Sequence, residues 1–161
     1  MSSIEYLREL ARWTQLSVRK QFVERTENIP VFFEETIKQN NQETLYVELR
    51  IDGPFCNPIG TRNEYEALIE VNVLINCAFD EQSTMKLYNL GGVVISALSK
   101  DFCVYKLGLN SWDDKSYFET YQLFADDNIE MSNFGQIDPV NKIYQSTVEA
   151  HYKMRFKNGT I

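Results

Sequence analysis

Residues 64–79 read EYEALIEVNVLINCAF. Taken by twos, Tyr65, Ala67, Ile69, Val71, Val73, Ile75, Cys77 and Phe79 share one side. Glu64, Glu66, Leu68, Glu70, Asn72, Leu74 and Asn76 share the other. Successive strand side chains point to opposite faces, so unbroken alternation of this kind predicts a strand with one buried and one polar face. Its length is far above the ~5–6 residues of an ordinary strand. The stretch is therefore expected either to bend at a bulge or to extend beyond its sheet. Leu68 and Leu74 interrupt the polar face, so that face should be covered somewhere.

Residues 144–156 repeat the pattern. Tyr144, Ser146, Val148, Ala150, Tyr152, Met154 and Phe156 alternate with Gln145, Thr147, Glu149, His151, Lys153 and Arg155. "ETLYVELRI" (43–51) is a third alternating strand. "DGPFCNPIG" (52–60), with two glycines and two prolines, reads as a loop. At the N-terminus, Ser2 with Glu5 forms a capping-box signature, and Ile4, Leu7, Ala11, Thr14, Val18 and Phe22 then recur at helical spacing. Tyr6, Leu10 and Trp13 widen this face beyond the ~100° stripe of a simple surface helix. The excess is either a thick core contact or a surface for a neighbouring subunit. Pro30 forbids helical continuation. A second helix is predicted over 83–100, striped by Leu87, Leu90, Val94 and Leu98. Gly91 and Gly92 within it each cost about 1 kcal/mol relative to alanine, which implies close backbone approach, expected towards the sheet. "FCVYKLG" and "SYFETYQLFA" read as strands, and "ADDNIEMSNFGQIDPVN" (125–141) as a loop-rich region. No linker, repeat or low-complexity tract divides the chain, so residues 1–161 are expected to form one α+β domain: a curved, mostly antiparallel sheet packed by an N-terminal and a central helix.

The bulk properties exclude several classes. A net charge of −7 argues against gripping nucleic acid, which needs clustered Lys and Arg. Three cysteines without a CxxC pair outline neither a disulfide framework nor a zinc site. The first residues are charged and do not read as a signal peptide, and no apolar run approaches the ~18 residues that span a bilayer. A reducing cytosol fits best.

Catalytic chemistry finds no frame. His151 is the single histidine, and a triad built on it would lack GxSxG or a comparable motif. The "DDNIE" run (126–130) lacks the spacing and glycine of a calcium loop and reads as solvated. Glu64, Glu66 and Glu70 form an acidic row, spaced near ~7 Å between alternate residues, which reads as a solvated face or one salt-bridged to Arg50 or Lys153. His151 reads as a polar strand residue. The chain is expected to be no enzyme and to hold no metal or cofactor.

The order of elements resembles the tail terminator proteins of long-tailed phages. The features that carry the resemblance are "SIEYLRELARWTQLSVRKQF", "NIPVFF", the pair "LYVELRI" and "EYEALIEVNVLINCAF", the helix "STMKLYNLGGVVISALSK" and the final strand "STVEAHYKMRF". The resemblance covers nearly the whole chain and is one of pattern, without a short diagnostic motif. It implies a homo-oligomeric ring, six-fold in the family, at the head-proximal end of the tail. The ring caps the tail tube protein, stops polymerisation and presents the surface that joins the head-completion or neck protein. Assembly would occur in the host cytoplasm, and DNA would pass through an acidic lumen without specific binding. Interface residues are then expected at polar faces and edges: Tyr6, Trp13, Arg50, Glu64, Glu66, Leu68, Glu70, Leu74 and His151, with the long strand offering a pairing edge. The alternatives are another neck or head-closure ring protein, or a small α+β ligand-binding or enzymatic domain with a pocket between helix and sheet.

Overall fold

The computed structural model describes residues 3–26, 29–33, 45–60, 64–78, 83–107, 115–138 and 143–157. Two helices, α1 (Ser3–Arg25) and α2 (Ser83–Leu98), pack on a six-stranded sheet. Its strands are β1 (Val31–Phe33), β2 (Leu45–Pro58), β3 (Glu64–Ala78), β4 (Phe102–Leu107), β5 (Lys115–Asp138) and β6 (Ile143–Lys157). The order is β1-β2-β3-β6-β5-β4. Only β1–β2 is parallel. The sheet curls into a half-barrel, the α+β architecture that the patterning predicts.

The alternation of β3 and β6 survives along most of both strands; Asn76, counted to the polar face, is buried beside Gln145, which donates to its Oδ1. Ala67, Ile69, Val71, Val73, Ile75 and Cys77 are buried with Val148, Ala150, Tyr152, Met154 and Phe156 beneath the helices. However, β3 neither bulges against β6 nor outruns the sheet. It pairs without a register shift from Glu64↔Lys157 to Ala78↔Ile143, with β2 on its other side. Its length is absorbed by equally long neighbours, so it supplies no free edge.

Two segments expected as loops are strand. Residues 55–58 continue β2, because their backbone pairs with residues 65–68 after a bulge between Asp52 and Phe55. Gly53 makes the bulge possible. Its φ is +104°, and an added Cβ would lie 2.6 Å from the carbonyl oxygen of Leu68. Residues 125–138 continue β5 along β6 through three register shifts. Among the described residues this part of β5 pairs with β6 alone, so its far side is an edge blunted by bulges.

α1 joins the two ends of the curl. Its buried stripe is Leu10, Trp13, Thr14, Ser17, Val18 and Phe22, while Ala11, expected inside, is exposed. The helix also satisfies strand edges. The Gln21 side chain donates to the carbonyl of Cys103 (2.6 Å) and accepts from its N–H (3.0 Å), and Ser17 Oγ accepts from the N–H of Tyr105 (3.1 Å). These are the groups of β4 that a next strand would bind. At the other end, Gln15 donates to the carbonyls of Ile51 (2.9 Å) and Gly53 (3.0 Å). One helix thus occupies the place of the missing staves.

α2 lies across β3, β6 and β5. Its C-terminal carbonyls would otherwise lack partners. Arg25 donates to the carbonyls of Ala97, Lys100 and Asp101, and Tyr152 donates its hydroxyl to that of Leu98. The Arg25 guanidinium sits 4.1 Å from the centre of the Phe102 ring. Burial lowers its pKa, although Arg keeps its charge. Gly91 and Gly92 divide as their positions dictate. Gly91 faces the sheet, against Met131, whereas a Cβ on Gly92 would meet nothing within 4 Å. Close approach to the sheet therefore explains only the first.

Candidate functional site

The face of the sheet turned away from the helices collects most of the expected site residues. Because β3 and β6 are in unbroken register, they stand in cross-strand rows. One row runs Phe55–Leu68–Lys153–Phe124 across β2, β3, β6 and β5. Phe55 is 57% exposed and Phe124 52%. Leu68 is half-buried between its row partners, so it is sheltered within the chain rather than left wholly in water. Leu74 is half-buried opposite Thr147 and Glu48. This apolar row is flanked by charge. On one side Glu66 faces Arg155, with Oε2 3.7 Å from Nε. On the other, Glu70 faces both Asp52 and His151.

Next to that pair the carboxylates gather. His151 Nε2 lies 2.9 Å from Glu149 Oε1. Asn72, directly opposite Glu149, donates from Nδ2 to Glu70 Oε1 at 3.1 Å. Glu130 of β5 stands directly opposite Glu149. Asp126 and Asn128 come from the bulge between Ala125 and Ile129 and line, with Glu130, Glu149 and His151, a polar recess of about 400 Å³. The reading of 126–130 as a loop is corrected here, whereas its solvation holds: Asp126, Asn128 and Glu130 are exposed. The segment is strand, and Asp126 and Glu130 line a recess with His151.

Arg50 lies at the same face, and its guanidinium engages Glu48 at 2.9–3.0 Å rather than the acidic row. Glu64 is exposed opposite Lys157 and lines a smaller recess with Ile59, Arg155 and Phe156. Trp13 is 3% exposed and belongs to the core of its own chain. Its wide arc on α1 fills the half-barrel, so the expectation that it meets a neighbour is corrected. Tyr6 lies in α1, and its side chain is outside the described residues.

A second surface escaped the periodicity argument. The outward side of α2 carries Met85, Tyr88, Asn89, Gly92, Val93 and Ser96, and Lys86 is the only charge in the helix. Met85 is 63% exposed, Tyr88 52% and Val93 40%. A helix that is hydrophobic all round is ordinarily buried, and α2 sets three large apolar side chains outward beside Asn89 and Ser96. The signal was present in "STMKLYNLGGVVISAL": once one apolar stripe is assigned to the core, the remainder still holds Met85, Tyr88 and Val93 and a single charge, Lys86. Elsewhere, an open groove of about 490 Å³ runs between α1 and β1, lined by Leu16, Arg19, Lys20, Val23, Glu24 and Phe33. It mixes apolar and charged groups.

The three thiols are free; Cys77 is buried, and burial pushes the Cys56 thiol up. Among the described residues no helix is long and apolar enough to cross a membrane. A scan against models of protein families finds none that matches this chain, and a search of curated proteins finds no match.

Proposed function

We propose that this chain is a ring-forming tail terminator of a long-tailed phage: a subunit that joins copies of itself, six in the family it resembles, to cap a tail tube and present the surface for the neck. The observation that carries the reading is the outward face of α2. Gly92 costs the helix about 1 kcal/mol relative to alanine, and nothing among the described residues requires it, since a Cβ there meets open space. A glycine flanked by exposed Met85, Tyr88 and Val93 fits a contact made by the backbone of another molecule. A heterologous contact repeated around a closed ring uses such a face once per subunit without making fibres.

The outer sheet face supports the same reading from its charge. Glu64, Glu66, Glu70, Asp126, Glu130 and Glu149 give it an acidic character suited to a lumen that repels the phosphate backbone. The row from Phe55 to Phe124, apolar except for Lys153, offers a separate patch for the tube or the neck. The test is deletion of the gene from the phage that carries it. The reading requires tails of abnormal length that do not join heads. Normal-length tails on filled heads would eliminate it, and a ligand-binding role for the groove beside α1 would take its place.

A further inference from the structure

We infer that Glu70, Glu149 and His151 form a binding site for a single divalent transition-metal ion of the zinc or manganese class. The inference does not depend on ring formation. One oxygen from each carboxylate and one imidazole nitrogen lie within 4.8 Å of one another. A metal with bonds near ~2.1 Å separates its ligand atoms by roughly 3.0 to 4.2 Å, from adjacent to opposite positions. The three donors therefore need only small side-chain rotations to close on one ion.

The scaffold is suited to hold them. Two donors come from β6 and one from β3, and these strands pair without a shift over their whole lengths, with Glu70 directly opposite His151. Asn72 donates to Glu70 Oε1, orienting that carboxylate in the way outer partners orient metal ligands. The adjoining recess of about 400 Å³ leaves room for an ion with bound water, and Asp126, Asn128 and Glu130 line it as further oxygen donors.

Charge argues in the same direction. Glu130 and Glu149 are directly opposite across β5 and β6, an arrangement of like charges that destabilises a sheet. Glu70 and Asp52 repeat it across β2 and β3. The cations of the two adjoining rows are Lys153, between Leu68 and Phe124, and Arg50, opposite Asn72 with its guanidinium on Glu48. A divalent ion offsets the excess, and the donor set chooses its class. Magnesium and calcium prefer all-oxygen shells, whereas imidazole with carboxylates suits zinc and manganese.

Because His151 is the single histidine, its ring gives one pair of nitrogen signals in uniformly 15N-labelled protein. Zinc chloride is titrated at pH 7.5 into a Cys56→Ser/Cys103→Ser background, which removes the two partly accessible thiols, with magnesium chloride as control. Expected are saturation near one equivalent, displacement of the His151 ring signals, and no response to magnesium. Glu70→Gln and Glu149→Gln should each weaken binding at least tenfold, and His151→Ala should abolish it, all with the folded spectrum retained. Manganese should broaden signals from residues 70, 149 and 151 first. Ring signals unmoved at ten equivalents of zinc would overturn the site. So would a displacement of equal affinity in the Glu70→Gln/Glu149→Gln variant, which would reveal a lone surface imidazole.

Discussion

Gly92 allows the monomer's needs and the assembly's needs to be separated. In the monomer an added Cβ meets nothing within 4 Å, so Gly92→Ala should stabilise by about 0.5–1 kcal/mol through helix propensity alone. That corresponds to a rise of roughly 1–4 °C in Tm for a domain of this size. Gly92→Leu should be at least neutral, since leucine is also a good helix former. The contact should behave in the opposite sense. Full burial of a Met, Val or aromatic side chain is worth about 1.5–3 kcal/mol. Scaled by the exposures of Met85 (63%), Tyr88 (52%) and Val93 (40%), covering this face contributes about 3 kcal/mol per contact. That is on the order of a hundredfold in association. A leucine at 92 holds a partner backbone away and forfeits most of it. Thermal unfolding of the purified variants tests the first half. Complementation of a gene deletion, with tail lengths measured by negative-stain microscopy, tests the second. Gly92→Leu should be as stable as the parent and give tails of abnormal length. Full complementation would refute the assignment of α2 to the subunit contact, and a destabilised Gly92→Ala would refute the geometry beneath it.

Arg25→Ala removes the carbonyl partners at the end of α2 and the contact with Phe102; urea unfolding should show a loss of about 2–3 kcal/mol, with Arg25→Lys intermediate because an ammonium lacks the planar fork. Gln21→Leu should cost about 1–2 kcal/mol and speed amide exchange at Cys103, whose N–H and C=O it leaves unpaired at the sheet edge. Thr14→Val should stabilise by about 1 kcal/mol, since Thr14 Oγ1 is buried without a hydrogen-bond partner and valine keeps the shape; a lower urea midpoint would reveal a partner. Cys77, buried on the core face, should resist a thiol reagent in the native protein and react on denaturation, and rapid native labelling would place β3 one residue out of register.

Faces were legible in this sequence wherever alternation ran unbroken. Tyr65 to Cys77 and Tyr144 to Phe156 could be sorted into core and surface by counting in twos, and the burial follows that sorting except at Asn76, which counts to the polar face and is buried, and at Tyr65 and Tyr144, which are half-buried. Continuations through bulges were not legible. Gly53 and Pro54, or Asp126 to Asn128, carry the composition of a turn, and only the neighbouring strand reveals that the chain resumes pairing at Phe55 or at Ile129. The width of α1 was visible, but its cause was not. Trp13 could be assigned to the core only once the curl of the sheet left a gap for the helix to fill.

The metal cluster was illegible for a different reason. Parity tells which residues share a face, whereas register tells which of them are neighbours. A slip of two residues keeps every face intact and changes every neighbour. Slipped one way, Glu70 would face Glu149; slipped the other way, it would face Lys153, a better electrostatic match than a histidine. The observed register instead stacks Tyr65 on Phe156 at 5.6 Å between ring centres and joins Gln145 to Asn76 at 2.9 Å. It also sets Glu66 opposite Arg155 and Glu64 opposite Lys157. Contacts at both ends of the strand pair therefore fix the alignment, and its middle is left with a carboxylate opposite an imidazole. Moving Glu70 opposite Lys153 would set Tyr65 opposite Asn158 and undo the stacked pair. The strands keep the arrangement that gathers Glu70, Glu149 and Glu130 beside His151, and an ion bound there would offset their charge without disturbing the pairs at either end.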